Sequence, residues 1–168
     1  MNTTPKPNNV LELFSFDLTQ FFADNDYNEI ESNDSEGVFM IEFEKDLPLA
    51  ELGLFEKVIF RLFNDKTNVN GSNHINVTIP ASAKHIVKSN VKQLIDNLYS
   101  IYGYDDDRNG AWNTTDDQLF EEKDLERQWT IGNDKFVYAV KVSYTEKHGL
   151  YLKIFFFNRL MELLHNNE

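Results

Sequence analysis

The chain has 168 residues, is 41 % apolar and 14 % aromatic, lacks cysteine and carries a formal net charge of -12. That size and apolar content suit one globular domain able to bury about 70 % of its unfolded surface, and they exclude a disordered polymer. The missing cysteines exclude disulfides, thiolate metal sites and cysteine nucleophiles, and they fit a reducing, cytoplasmic setting.

Residues 1–8 (MNTTPKPN) read as a flexible polar tail, and 9–168 as a single domain. Asn9, followed three residues later by Glu12, starts a predicted helix near 10–23 along Leu11, Phe14, Leu18, Phe21 and Phe22. No basic segment leads into an apolar run, so a signal peptide is not expected. No apolar stretch reaches the roughly 18 residues that a membrane helix needs. The sequons at Asn2, Asn76 and Asn113 are then expected to stay unmodified.

The acid is lumped. Residues 24–51 hold ten acids and one base, and residues 105–126 hold nine acids and two bases, giving -9 and -7; the rest of the chain nets +4. Packed like charges repel and lower stability, which calls for a basic partner, a metal or a need for solubility. In the first block, strands near 27–31 and 38–44 form a predicted hairpin. Phe39, Ile41 and Phe43 share one face there, and Glu42 and Glu44 the other.

Residues 46–63 fit a helix through Leu54, Phe55, Val58, Ile59, Leu62 and Phe63, although the run KVIFRLF also has strand composition. Helix is the expectation. Residues 64–73 read as a loop and 74–79 as a strand ended by Pro80. From Ser82 a long amphipathic helix runs through Val87, Val91, Leu94, Ile95, Leu98 and Tyr102 to Gly103. Lys84, Lys88 and Lys92 line one side of it. They suit a solvated face, a weak anion site or an internal partner for an acidic block, and lysines at a helix N-terminus hint at acids nearby. A loop follows at 104–113, then a helix at 115–126 capped by Thr114 or Thr115. Strands at 128–131, 135–145 and 149–157 make a meander. The last is apolar on both faces, as in a central strand, a sheet covered on both sides, or a homo-oligomer interface through that aromatic strand. A short helix at 158–166 closes the chain.

Four histidines (His74, His85, His148, His165) show no zinc spacing, and no GxSxG, P-loop or GxGxxG is present. One segment has metal-like spacing. Asp105, Asp107 and Asn109 offer oxygens at loop positions one, three and five. Gly110 stands at six, the Ala111 carbonyl at seven and Asp116 at twelve. These twelve residues resemble an EF-hand loop. They depart from it at Asp116, where a longer Glu is expected, and at the bulky Trp112. The resemblance implies calcium bound by Asp105, Asp107, Asn109, Ala111 and Asp116.

Trp112 and Trp129 flank the second acidic block, with Tyr99, Tyr102 and Tyr104 on its other side. Rings beside acids serve as protein-binding anchors or as a roof over the core.

The expected fold is α+β, an antiparallel sheet of about five strands with helices packed against it. The expected function is non-enzymatic, with no cofactor: docking a basic protein through Glu29, Glu31, Asp34, Glu36, Glu42, Glu44, Glu121, Glu122, Asp124 and Trp112. In charge and size the chain is similar to toxin-neutralising immunity proteins and phage DNA-mimic inhibitors. So acidic a chain is not expected to bind nucleic acid directly. The alternative is a calcium module at 105–116.

Overall fold

A computed structural model describes residues 28–35, 38–46, 54–55, 57–65, 74–81, 86–132 and 137–157. They form an antiparallel sheet and two helices. The elements run β1 (Asn28–Ser35), β2 (Val38–Asp46), β3 (Lys57–Asp65), β4 (His74–Pro80), α1 (Lys88–Tyr102), α2 (Thr114–Glu122), β5 (Asp124–Gly132), β6 (Val137–Thr145) and β7 (Gly149–Phe157). In space the strands lie in the order β1-β2-β3-β4-β7-β6-β5. The helices, β5 and β6 are therefore inserted between two neighbours, β4 and β7. β1 and β5 are the edges, and β7 is a central strand paired with β4 and β6.

The buried cluster joins α1 to the sheet. Val91, Leu94, Ile95 and Leu98 of α1 belong to it, as do Val77 and Ile79 of β4, Leu125 and Trp129 of β5, Val140 and Val142 of β6, and Leu150, Leu152 and Ile154 of β7. In β4, β5 and β7 buried residues alternate with less buried ones. Trp112, Leu119 and Phe120 pack against this cluster half-buried. No helix among the described residues is long and apolar enough to cross a membrane.

The structure departs from the sequence expectation in five places. α1 begins at Lys88, with Val87 extended before it and exposed rather than on the apolar stripe. The run at 57–65 is a strand, not a helix, paired with β2 on one side and β4 on the other. An interior strand tolerates apolar residues at nearly every position, and that composition also mimics a helix period. With this strand the sheet has seven members rather than about five. The second helix stops at Glu122, where Lys123 takes the left-handed conformation (φ 53), and strand begins at Asp124 instead of 128. Its cap is Asn113, not a threonine. The predicted helices at 10–23 and 158–166 lie outside the described residues.

Candidate functional site

The second acidic block folds around one arginine. α1 ends at Gly103, which adopts φ +82 and donates its N–H to the Tyr99 carbonyl at 2.8 Å. The chain then turns tightly. The Asp105 N–H donates to the Asn109 carbonyl at 3.0 Å, and the Asn109 N–H donates back to Asp105 Oδ1 at 2.6 Å. Arg108, between them, sits at φ +64, a conformation that costs a non-glycine residue on the order of 1 kcal/mol. Asn113 opens α2 with a capping box: its side chain accepts the Thr115 and Asp116 N–H groups, while Asp116 Oδ2 accepts the Asn113 N–H at 2.9 Å.

Arg127 of β5 reaches into this frame. Its Nε donates to Asp105 Oδ2, its Nη1 to both oxygens of Asp116 at 3.2 and 3.0 Å, and its Nη2 to the Gly110 carbonyl. The guanidinium also lies 5.4 Å from the Trp129 ring. Exposure is 5 % for Asp105, 3 % for Asp116 and 2 % for Arg127. Two buried carboxylates thus share one buried cation, and all three guanidinium nitrogens are satisfied, as burial of charge demands.

Other acids of the block also have internal partners. Asp106 closes the outer edge of β5: its N–H donates to the Gln128 carbonyl at 2.8 Å. Its carboxylate accepts the Thr130 N–H at 2.8 Å, the Thr130 hydroxyl at 2.7 Å and the Gln128 amide at 2.9 Å. Burial alone would raise the pKa of Asp106, but the Thr130 and Gln128 hydrogen bonds outweigh it and hold the carboxyl below its ordinary value. Lys88 bridges Asp117 and Glu121, each at 3.0 Å. This is the internal-partner role open to the lysine strip. It holds Asp117 below the usual carboxylate range, with help from the Trp112 indole, and raises Lys88. Lys92 pairs with Asp96 at 3.1 Å and Lys141 with Glu126 at 2.6 Å. Lys84 lies outside the described residues.

What is left points outward. Asp107, Glu122 and Asp124 are exposed and make no ion pair among the described residues. Glu122 accepts the Gln118 amide at 2.9 Å, and Glu121, though bridged, keeps 70 % of its side chain exposed. Of the aromatics, Trp129 is buried and donates to the Gly103 carbonyl at 3.0 Å. Trp112 is half-buried, edge-on to Phe120 at 6.2 Å, with its indole N–H on Asp117 at 3.1 Å. Tyr102 meets Tyr138 edge-on at 6.2 Å. Tyr104 is the exposed ring, and its hydroxyl raises the pKa of Tyr99 beside it.

The first block falls on the edge hairpin. Glu29, Glu31 and Asp34 lie on β1, with Glu42 and Glu44 on β2, and Glu36 is outside the described residues. Glu31 pairs in register with Glu42, which in turn pairs with Arg61 of β3. Like charges directly opposite are unfavourable in a sheet, so this row carries a charge excess.

Of the calcium ligands expected from the sequence, Asp105 and Asp116, the first and last of the loop, are ion-paired with Arg127. No group of three or more metal-ligating side chains gathers among the described residues. His148 is exposed in the β6–β7 turn, and His85 and His165 are outside the described residues. Arg127 is the organising residue that sequence reasoning passed over; Asp106, expected as a partner contact with Asp105 and Asp107, instead has its carboxylate bonded to Gln128 and Thr130. The available signal was Arg127 itself, a charge at an inward position of the alternation Leu125, Arg127, Trp129, Ile131.

No protein-family model, curated protein or solved structure matches the chain.

Proposed function

We propose that the chain is a non-enzymatic, inhibitor- or immunity-type binding protein that docks a basic partner protein through acidic surface. The observation that carries this reading is the excess of outward carboxylate over internal cation. Arg127, Lys88 and Lys141 draw in five acids of the second block, yet Asp107, Glu122 and Asp124 stay exposed without an ion pair among the described residues, against two exposed cations, Arg108 and Lys123. The first block places the backbone of Glu29, Glu31, Asp34, Glu42 and Glu44 on an edge hairpin, with Glu31 and Glu42 in like-charge register. Fixed negative potential accelerates encounter with a basic surface and selects against acidic partners. The reading includes one domain over 9–168 and residence in a reducing compartment. The calcium alternative has the weaker support, because Arg127 already neutralises its two end ligands.

The test is capture from native lysate by the immobilised full chain at low and at high salt. Basic proteins held at low salt and released at high salt are the expected result, since exposed charge is screened. Neutral partners retained irrespective of salt would refute the electrostatic account.

A further inference from the structure

β5 is an edge strand, and among the described residues its one strand neighbour is β6. An open edge presents N–H and carbonyl groups on which another chain can pair. Backbone groups alternate sides along a strand, and at Gln128 and Thr130 they turn to the open side, where Asp106 meets them. Its N–H donates to the Gln128 carbonyl and its Oδ1 accepts the Thr130 N–H, each at 2.8 Å. A residue of an added parallel strand makes the same two bonds, to the residues on either side of the one it faces. Asp106 therefore stands opposite Trp129 as a strand one residue long, with a carboxylate oxygen in place of the carbonyl. Its Oδ2 accepts the Thr130 hydroxyl and the Gln128 amide at 2.7 and 2.9 Å, so both oxygens are used on this edge. The neighbours fix it there. Asp105 is buried against Arg127, and the Gly103 carbonyl accepts the Trp129 indole N–H at 3.0 Å.

The sequence of β5 indicates what its edge would otherwise take. The strand runs over nine residues, Asp124–Gly132, and centres on Gln128. Two copies laid antiparallel about that centre pair Arg127 with Trp129, Glu126 with Thr130, Asp124 with Gly132 and Leu125 with Ile131. No like charges face each other in this register, which removes the usual obstacle to cross-strand pairing. Gln128 meets its own copy, and the contact is two-fold and closed.

We propose that Asp106 guards the β5 edge, holding at the strand's centre the hydrogen-bonding groups through which a second copy of the chain would pair, β5 to β5. This role stands apart from the docking function proposed above and does not depend on it.

Sedimentation velocity over a concentration series, together with amide hydrogen exchange, tests this on the full chain. In wild type the Thr130 amide should exchange slowly, as do the amides that face β6. Asp106→Ala removes the acceptor of three of the bonds to β5. In dilute solution its Thr130 amide should exchange at least about tenfold faster, as for one lost bond to a charged acceptor. As concentration rises the same variant should associate beyond the wild-type state. Asp106→Asn keeps an acceptor oxygen and should behave as wild type. Adding Gln128→Glu to Asp106→Ala sets like charges opposite each other at the centre of the pair, while Lys141 faces that position within the chain's own sheet. The double variant should lose the association. A folded Asp106→Ala chain that associates no further than wild type overturns the proposal. Association that survives Gln128→Glu places the contact on another surface and overturns it too. Wild-type Thr130 exchanging as fast as in an unfolded chain overturns it as well, whether or not Asp106→Ala folds.

Discussion

Two kinds of ion pair hold the 105–126 segment, and they differ in what they do. Arg127 with Asp105 and Asp116 is out of water. Lys88 with Asp117 and Glu121 lies at the surface, with side chains 38 %, 48 % and 70 % exposed. Both involve carboxylates of the same acidic block at similar distances, yet dielectric separates them. A buried charge whose partner is removed has no water to replace it, whereas an exposed one is rehydrated at once. The buried set therefore specifies the loop, and the exposed set tunes it and leaves charge over at the surface.

The largest expected effect follows from breaking the buried side of this comparison. Arg127→Met strands two carboxylates and should cost about 3–5 kcal/mol in denaturant unfolding. Adding Asp105→Asn and Asp116→Asn should recover part of the loss, because the uncompensated charge is then gone. A loss near that of a surface substitution would erase the distinction. Next comes the cap. Asn113→Ala removes the acceptor for two α2 N–H groups and should cost about 1 kcal/mol in the same measurement.

Smaller effects are resolved by pH. The Asp106 carboxyl is depressed in the fold, so its contribution is present above the ordinary aspartate range and is lost as pH falls through the lower folded value. Unfolding followed against pH should show a shallower acid limb in Asp106→Asn than in wild type. Lys88 has the opposite sign. It is raised by Asp117 and then Glu121, so its contribution is complete below the ordinary lysine value and lost as pH rises through the folded one. Lys88→Met should shift the unfolding midpoint least of all, by an amount that disappears in high salt. A midpoint change in Lys88→Met as large as that of Arg127→Met would break the comparison from its exposed side.

The parts of the fold that the sequence displayed were those with an unambiguous period. Val140 and Val142 alternate in β6, as do Leu152 and Ile154 in β7, and both pairs are buried; Val91, Leu94, Ile95 and Leu98 keep helical spacing in α1, and Gly103 ends it. β3 was concealed because KVIFRLF is apolar at both periods, and only its two neighbours in the sheet decide between them. The start of β5 was concealed by charge. Asp124 and Glu126 look like the end of an acidic helix, and Arg127 at an inward position interrupts the apolar alternation that marks a strand. At the site, the surplus of acid was legible, but its division was not. Which carboxylates turn inward depends on an arginine 22 residues from one partner and 11 from the other, a pairing that composition does not carry.

The division of labour between inward and outward carboxylates has one direct measurement. A chain carrying Glu31→Gln, Glu42→Gln, Asp107→Asn, Glu122→Gln and Asp124→Asn should be tested for both thermal stability and salt-sensitive binding to basic proteins. The account expects binding to be lost while the thermal midpoint holds or rises, since like-charge repulsion is relieved. Undiminished binding by a chain with those five charges removed would contradict it.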